Sequence, residues 1–301
     1  MMSDLLLQAA ASGVVTGCVY ALVALSLVIV YKSTDVVNFA GGELLMLGGY
    51  IGLLALVYFE LSYPLMFVVV IVAMYAVGAL FERIPLTTVR GQRYSKNAEA
   101  DLVPLVVATI GLGYLLKGAV RVVPYTEEVR RLPPLLEGAP IFIGDVILLK
   151  QDIAIIAVTV VVMIALTGFF GWTRTGKALR ATSQNPRAAA LIGIPVKSMR
   201  MIAWGLAAGL AGIAGILLSP KLLMTPDMGN VVMLAFAAAI IGGFSSLVGC
   251  VVGGIILGVL QNFVGILISP QAMAVTPFVV IMLILVLRPQ GLFGELAFKK
   301  V

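Results

Sequence analysis

The sequence predicts an all-α integral membrane protein: a polytopic bundle of about eight to ten transmembrane segments, some of them broken or re-entrant. Three observations carry that prediction. Of 301 residues, 61% are hydrophobic and only 11% charged, and the mean hydropathy is +1.12. A soluble domain has about 45–50% apolar and about 25% charged residues, and it must still solvate its own surface. The apolar residues also fall into runs of spanning length. Finally, the 32 glycines are concentrated inside those runs, where helices in lipid pack through small residues.

The runs lie near 5–30, 36–57, 64–82, 102–123, 151–171, 201–219, 230–246, 249–267 and 272–287. The first is expected to remain as a membrane helix. Asp4 stands where a signal peptide would be basic, and no small-residue cleavage site interrupts Leu5–Tyr31. The second opens DVVNFAGGELLMLGGY, with Asp35, Asn38 and Glu43 among paired glycines. Asp35 is expected at the membrane face as N-cap of the second helix. Glu43 then lies about 12 Å further along that helix at 1.5 Å per residue. An ionisable group so placed faces a cavity or a partner. The seventh and eighth runs are divided only by GGFSSLVG (242–249), so one of them reads as a half-crossing. Gly13/Gly17, Gly205/Gly209, Gly249/Gly253 and Gly254/Gly258 each place two glycines on one helix face, the pattern of close helix packing. Lys117 and Arg121 are expected to snorkel to an interface.

Charge orients the bundle. Between Trp172 and Met201 lie Arg174, Lys177, Arg180, Arg187, Lys197 and Arg200, with no acidic residue, so this loop is expected in the cytoplasm. The 82–101 loop with Arg83, Arg90, Arg93 and Lys96 falls on the same side, as does the C-terminus with Arg288, Lys299 and Lys300. The Pro-rich 124–150 segment, with Glu127, Glu128 and Glu137, faces outward. The chain reads as a single transmembrane domain over 1–301, its long basic loop at 172–200. The net charge of +6 marks cytoplasmic loops rather than nucleic-acid binding.

Enzymatic readings fail on residue types. Histidine is absent, which removes the commonest general base and metal ligand. Cys18 and Cys250 lie in apolar runs and read as small buried hydrophobes. No catalytic residue, metal site or cofactor is expected. GWTRTGKA (171–178) approaches a nucleotide-binding P-loop, but it follows a membrane helix instead of a strand, and Ala178 replaces the magnesium-binding hydroxyl. Beyond it, in SQNPRAAALIGIPV, Asn185 is an N-cap, Pro186 suits the first helical position, and Gly193 with Pro195 ends the helix. A helix of about two turns over 186–192 follows. It is either an interfacial connector or a docking element shaped for a groove on another protein.

Four stretches in order then resemble the permease subunits of branched-chain amino acid ABC importers: NFAGGELLMLGGYIG (38–52), TRTGKALRATSQNPRAAALIGIPV (173–196), AAAIIGGFSSLVGCVVGGIILGVLQN (237–262) and LRPQGLFG (287–294). The third is shared more loosely with sugar permeases. The family carries a His or another residue before the Gly-Glu pair where this chain has Gly41. The resemblance implies an ABC importer permease in a bacterial inner membrane, assembled from two permease subunits, two cytosolic ATPase subunits and an extracytoplasmic binding protein. The 172–200 loop would hold the coupling helix, with Asn185, Arg187, Leu191, Gly193 and Ile194 toward the ATPase. Asn38, Gly42, Glu43 and Thr109 would lie near the translocation pathway. Arg174, Lys177 and Arg180 would hold the loop at anionic headgroups of the bilayer. Branched-chain amino acids are the family default; urea, amides and other amino acids are served by related permeases. An ion-gradient-driven transporter is the alternative of a different class, and it would need more embedded charge than Glu43 supplies.

Overall fold

The computed structural model describes residues 2–91, 103–122, 131–136, 138–144 and 146–294. Arg93, Lys96, Glu127, Glu128, Glu137, Lys299 and Lys300 lie outside them. Among the described residues, seven helices are long and apolar enough to cross a membrane, and two shorter apolar helices span Met228–Gly242 and Ala272–Leu287. The broken segments expected from the sequence are these short helices and the interrupted stretch before residue 41.

The helices are α1 (Met2–Thr34), α2 (Gly41–Leu53), α3 (Tyr63–Phe81), α4 (Thr87–Gly91), α5 (Val103–Val122) and α6 (Lys150–Trp172). They continue as α7 (Arg174–Gln184), α8 (Pro186–Leu191), α9 (Val196–Leu218), α10 (Val232–Gly242), α11 (Leu247–Leu267) and α12 (Ala272–Leu287). Wider π-turns at Leu54–Tyr58 and Glu82–Leu86 extend α2 and α3, the second around Pro85. Contacts divide the chain into two compact units. One comprises residues 1–28, 134–161 and 231–301, the other 29–133 and 162–230.

The first unit is built on glycine contacts between α1 and α11. A Cβ on Gly13 would stand 2.6 Å from the Val259 Cα, and one on Gly17 equally close to Ile255. Gly258 answers from the other side, 2.4 Å from the Gly13 carbonyl oxygen by the same measure. Backbones this close gain dispersion that lipid cannot match. One turn on, the Tyr20 hydroxyl donates to Gln261 Oε1 at 2.9 Å, buried, and Gln261 Nε2 donates to the Met273 carbonyl. The α10–α11 turn is closed by the stretch that follows α12, residues 288–294. The N–H groups of Leu292 and Phe293 donate to the carbonyls of Ile241 and Gly242, the last of α10. A helix ending within an apolar bundle would otherwise leave those carbonyls orphaned. The all-α expectation omitted one feature, a two-stranded hairpin, β1 (Ile141–Ile143) with β2 (Val146–Leu148). The Gln8 side-chain amide pins it, donating to the Ile147 carbonyl and accepting from the Ile147 N–H.

The second unit wraps α2 and α3 around α9, which is buried from Ala203 through Leu218 except for Leu206. Gly48 meets Gly212, Gly215 meets the Leu45 carbonyl, and Gly78 meets the Trp204 carbonyl. At each of these positions any side chain would force the helices apart.

Candidate functional site

Both sequence-predicted regions fall in this second unit. The first is the start of α2. The chain leaves α1 at Thr34, Asp35 turns it at φ +55°, and α2 begins only at Gly41. Asp35 therefore does not cap the second helix, because a non-helical stretch of residues separates them; the helical rise from Asp35 to Glu43 does not apply either. The reason is local. Asn38 folds its side chain back so that Oδ1 accepts the Ala40 N–H at 3.0 Å, and this fixes the turn that starts α2. The Phe39 N–H donates to Thr109 Oγ1 of α5 at 3.2 Å, and that hydroxyl donates to the Val106 carbonyl. Asn38 is 1% exposed and Thr109 fully buried, so both are spent on holding backbone. Gly42 is pressed onto Gly229, and a Cβ there would lie 2.1 Å from the Gly229 carbonyl oxygen.

Glu43 differs from its neighbours. Its side chain is only partly buried, and its carboxylate has no hydrogen bond or ion pair among the described residues. It lies against the bare backbone of Gly113, where a Cβ would stand 3.3 Å from Oε2. Thr109, Gly113 and Lys117 recur every fourth residue and share one face of α5. Each meets a different group: the Phe39 N–H, the Glu43 carboxylate, and Asp227. Lys117 Nζ contacts Asp227 Oδ1 at 2.5 Å, with Lys117 about a quarter exposed and Asp227 mostly so. The Lys117 hydrogen bond, then its charge, holds the Asp227 carboxyl below its usual value, with Arg121 adding a smaller pull. Lys117 thus has a protein partner. Its partner is in the α9–α10 connection, remote in sequence, and helix periodicity could not have revealed it.

The second region is the basic loop. Trp172 ends α6 fully displayed, and Thr173 caps α7 by accepting the Gly176 N–H. A Cβ on Gly176 would fall 2.1 Å from the Phe169 carbonyl, so this glycine tucks under α6. The P-loop resemblance ends there: Gly176 packs against helix backbone and Lys177 points outward. Helix α7 itself was not expected. Its signal was a period of about three residues, with Gly176, Leu179 and Thr182 buried and Arg174, Lys177 and Arg180 exposed. In a polar stretch that signal is easily read as loop.

Helix α8 matches its sequence reading. Asn185 Oδ1 accepts the N–H groups of Arg187 and Ala188 at 3.1 and 3.0 Å. At the other end Gly193 has φ +86°, and the N–H groups of Gly193 and Ile194 close onto Ala190 and Ala189. Ala189 is the buried contact, whereas Leu191 is 88% and Ile192 75% exposed, Arg187 is exposed and Ile194 half-buried. Two adjacent, nearly bare aliphatic side chains on a helix capped at both ends form a preformed knob. Ile192 was not singled out from the sequence; it stands out only once the cap geometry turns it outward beside Leu191. Among the described residues no three His, Cys, Asp or Glu side chains gather as a metal site.

Comparison with known proteins follows the same lines. The sequence profile described as "Branched-chain amino acid transport system / permease component" matches residues 9–287. The chain is 32% identical to the high-affinity branched-chain amino acid transport system permease protein BraD of Pseudomonas aeruginosa, over 98% of both chains. It is 30% identical to the corresponding LivH of Salmonella typhimurium, over 98% of this chain and 97% of the relative. Among solved structures, PsaBC from Streptococcus pneumoniae in complex with Fab aligns with a TM-score of 0.48 at 15% identity, covering 95% of this chain and 92% of that one. Likeness at that level adds nothing to a family assignment.

Proposed function

The chain belongs to the branched-chain amino acid transport system permease family, and from that premise we propose that it imports branched-chain amino acids, with α8 as the element that receives the stroke of a partner ATPase. It is a multi-pass inner-membrane transport subunit, and ATP hydrolysis resides on other subunits of such an importer. In this reading two permease chains, as a pair of related subunits or two copies, form the pathway, two cytosolic ATPase subunits drive it, and an extracytoplasmic protein delivers the substrate.

The observation that carries the reading is the exposed Leu191–Ile192 pair on the doubly capped α8. Exposed aliphatic side chains beside Arg187 suit a protein groove better than water. Arg187, Leu191 and Ile194 supply contact, and Asn185 and Gly193 supply the caps. Arg174, Lys177 and Arg180 hold α7 at anionic headgroups, at about 1 kcal/mol each. Closure of the ATPase dimer moves α8, and α7 passes the motion to α6 and α9, to which it is packed. At the other region, Asn38, Gly42 and Thr109 fix the start of α2, and Glu43 faces the pathway. The purified chain is expected to hydrolyse no ATP by itself and to stimulate its cognate ATPase once assembled. Assembly without stimulation would defeat the proposal.

A further inference from the structure

The face of α5 that carries Gly113 and Lys117 presents two opposite charges in succession. Glu43 lies against Gly113 without a partner, and Lys117 holds Asp227 across an exposed contact. Gly113 and Lys117 are one turn apart, about 6 Å along the helix axis. The Glu43 carboxylate and the Lys117 ammonium thus lie along one side of α5, where a small α-amino acid can offer its ammonium to one and its carboxylate to the other through charge-assisted hydrogen bonds.

We propose that Glu43 and Lys117 form a two-point station for a zwitterionic α-amino acid, Glu43 accepting its ammonium group and Lys117 exchanging Asp227 for its carboxylate. This rests on the importer reading above and names the chemical class that this part of the pathway selects. The exchange replaces one carboxylate on Lys117 by another, so it breaks no net ion pair. The bond surrendered is a solvent-exposed one, and such pairs are weak. The absence of a side chain at Gly113 lets the Glu43 carboxylate lie close against α5, since a methyl group there would stand 3.3 Å from Oε2. An uncharged solute such as urea or a short amide satisfies neither charge. It would leave the Glu43 carboxylate without a charge partner.

The test uses the whole importer, with its ATPase and binding protein, in proteoliposomes, reading tritiated leucine uptake and binding-protein-stimulated ATP hydrolysis together. Leucine uptake by the wild type checks the importer reading. Acetamide uptake in its place would defeat that reading and the station with it. Given leucine uptake, Glu43→Gln and Lys117→Met are expected to keep stimulated hydrolysis within about two-fold of wild type while leucine moved per ATP falls about ten-fold. Glu43→Asp should recover most of the loss, and Asp227→Asn should leave leucine per ATP at or above wild type. Three results would overturn the station: unchanged leucine per ATP in both Glu43→Gln and Lys117→Met, parallel loss of hydrolysis and uptake, or an Asp227→Asn defect equal to that of Lys117→Met. The last would make the ion pair a structural latch.

Discussion

Gly42 of α2 and Gly229, in the connection between α9 and α10, meet backbone to backbone, and no side chain fits between them: a Cβ on Gly42 would stand 2.1 Å from the Gly229 carbonyl oxygen. The contact fixes where α2 begins and so where Glu43 lies. Gly42→Val should therefore lower the thermal midpoint of the purified protein in detergent or prevent its accumulation. Gly111→Ala is the control, because nothing lies within 4 Å of a Cβ there. Replacing a helical glycine in open space should be neutral or stabilising by up to about 1 kcal/mol. Equal thermal midpoints for Gly42→Val and wild type would refute the close contact.

Asn185 caps α8 through two hydrogen bonds from one oxygen. Asn185→Ala removes both, at a cost of about 1 kcal/mol. For a helix of six residues that is enough to unwind it for a large share of the time. Stimulation of the partner ATPase should fall several-fold, and Asn185→Asp or Asn185→Ser should restore it. A full response from Asn185→Ala would show that the cap is dispensable.

Much of this was legible in the sequence, and the failures share a cause. Apolar runs gave the spanning helices because lipid imposes their length, and α8 was readable because its caps are local. The turn at Asp35 was not readable. Its geometry depends on Asn38 folding onto Ala40 and on Thr109 accepting the Phe39 N–H from another helix. The Lys117–Asp227 pair and the strap of residues 288–294 likewise join segments far apart in the chain. The hairpin β1–β2 is too short to show a period, and a single remote side chain, Gln8, holds it.

The Lys117–Asp227 pair gives a pH dependence of known sign. The folded-state carboxyl is held below its usual value by Lys117. Its stabilisation is therefore fully present above the unfolded value of about 3.9 and is lost as pH falls through the lower folded one. The thermal-midpoint difference between wild type and Asp227→Asn should be constant from about pH 5 to about pH 8 and shrink only in stronger acid. A difference that changes sharply within the neutral range would contradict the assignment.

Ending the chain after Gln290 removes the N–H groups of Leu292 and Phe293 from the last carbonyls of α10. Each hydrogen bond contributes about 1 kcal/mol net, more where the carbonyl then finds no water. The truncated protein should melt at lower temperature while the α8 region, held by its own caps, still engages the ATPase. An unchanged midpoint would show that the strap holds nothing.

The central claim is that α8 transmits the action of a separate ATPase, and stimulated ATP hydrolysis in the reconstituted importer tests it most directly. With Leu191→Asp or Arg187→Glu, the permease should express and fold as before. Hydrolysis should fall to the rate of the ATPase without permease. Wild-type stimulation in both variants, at wild-type permease levels, would contradict the claim.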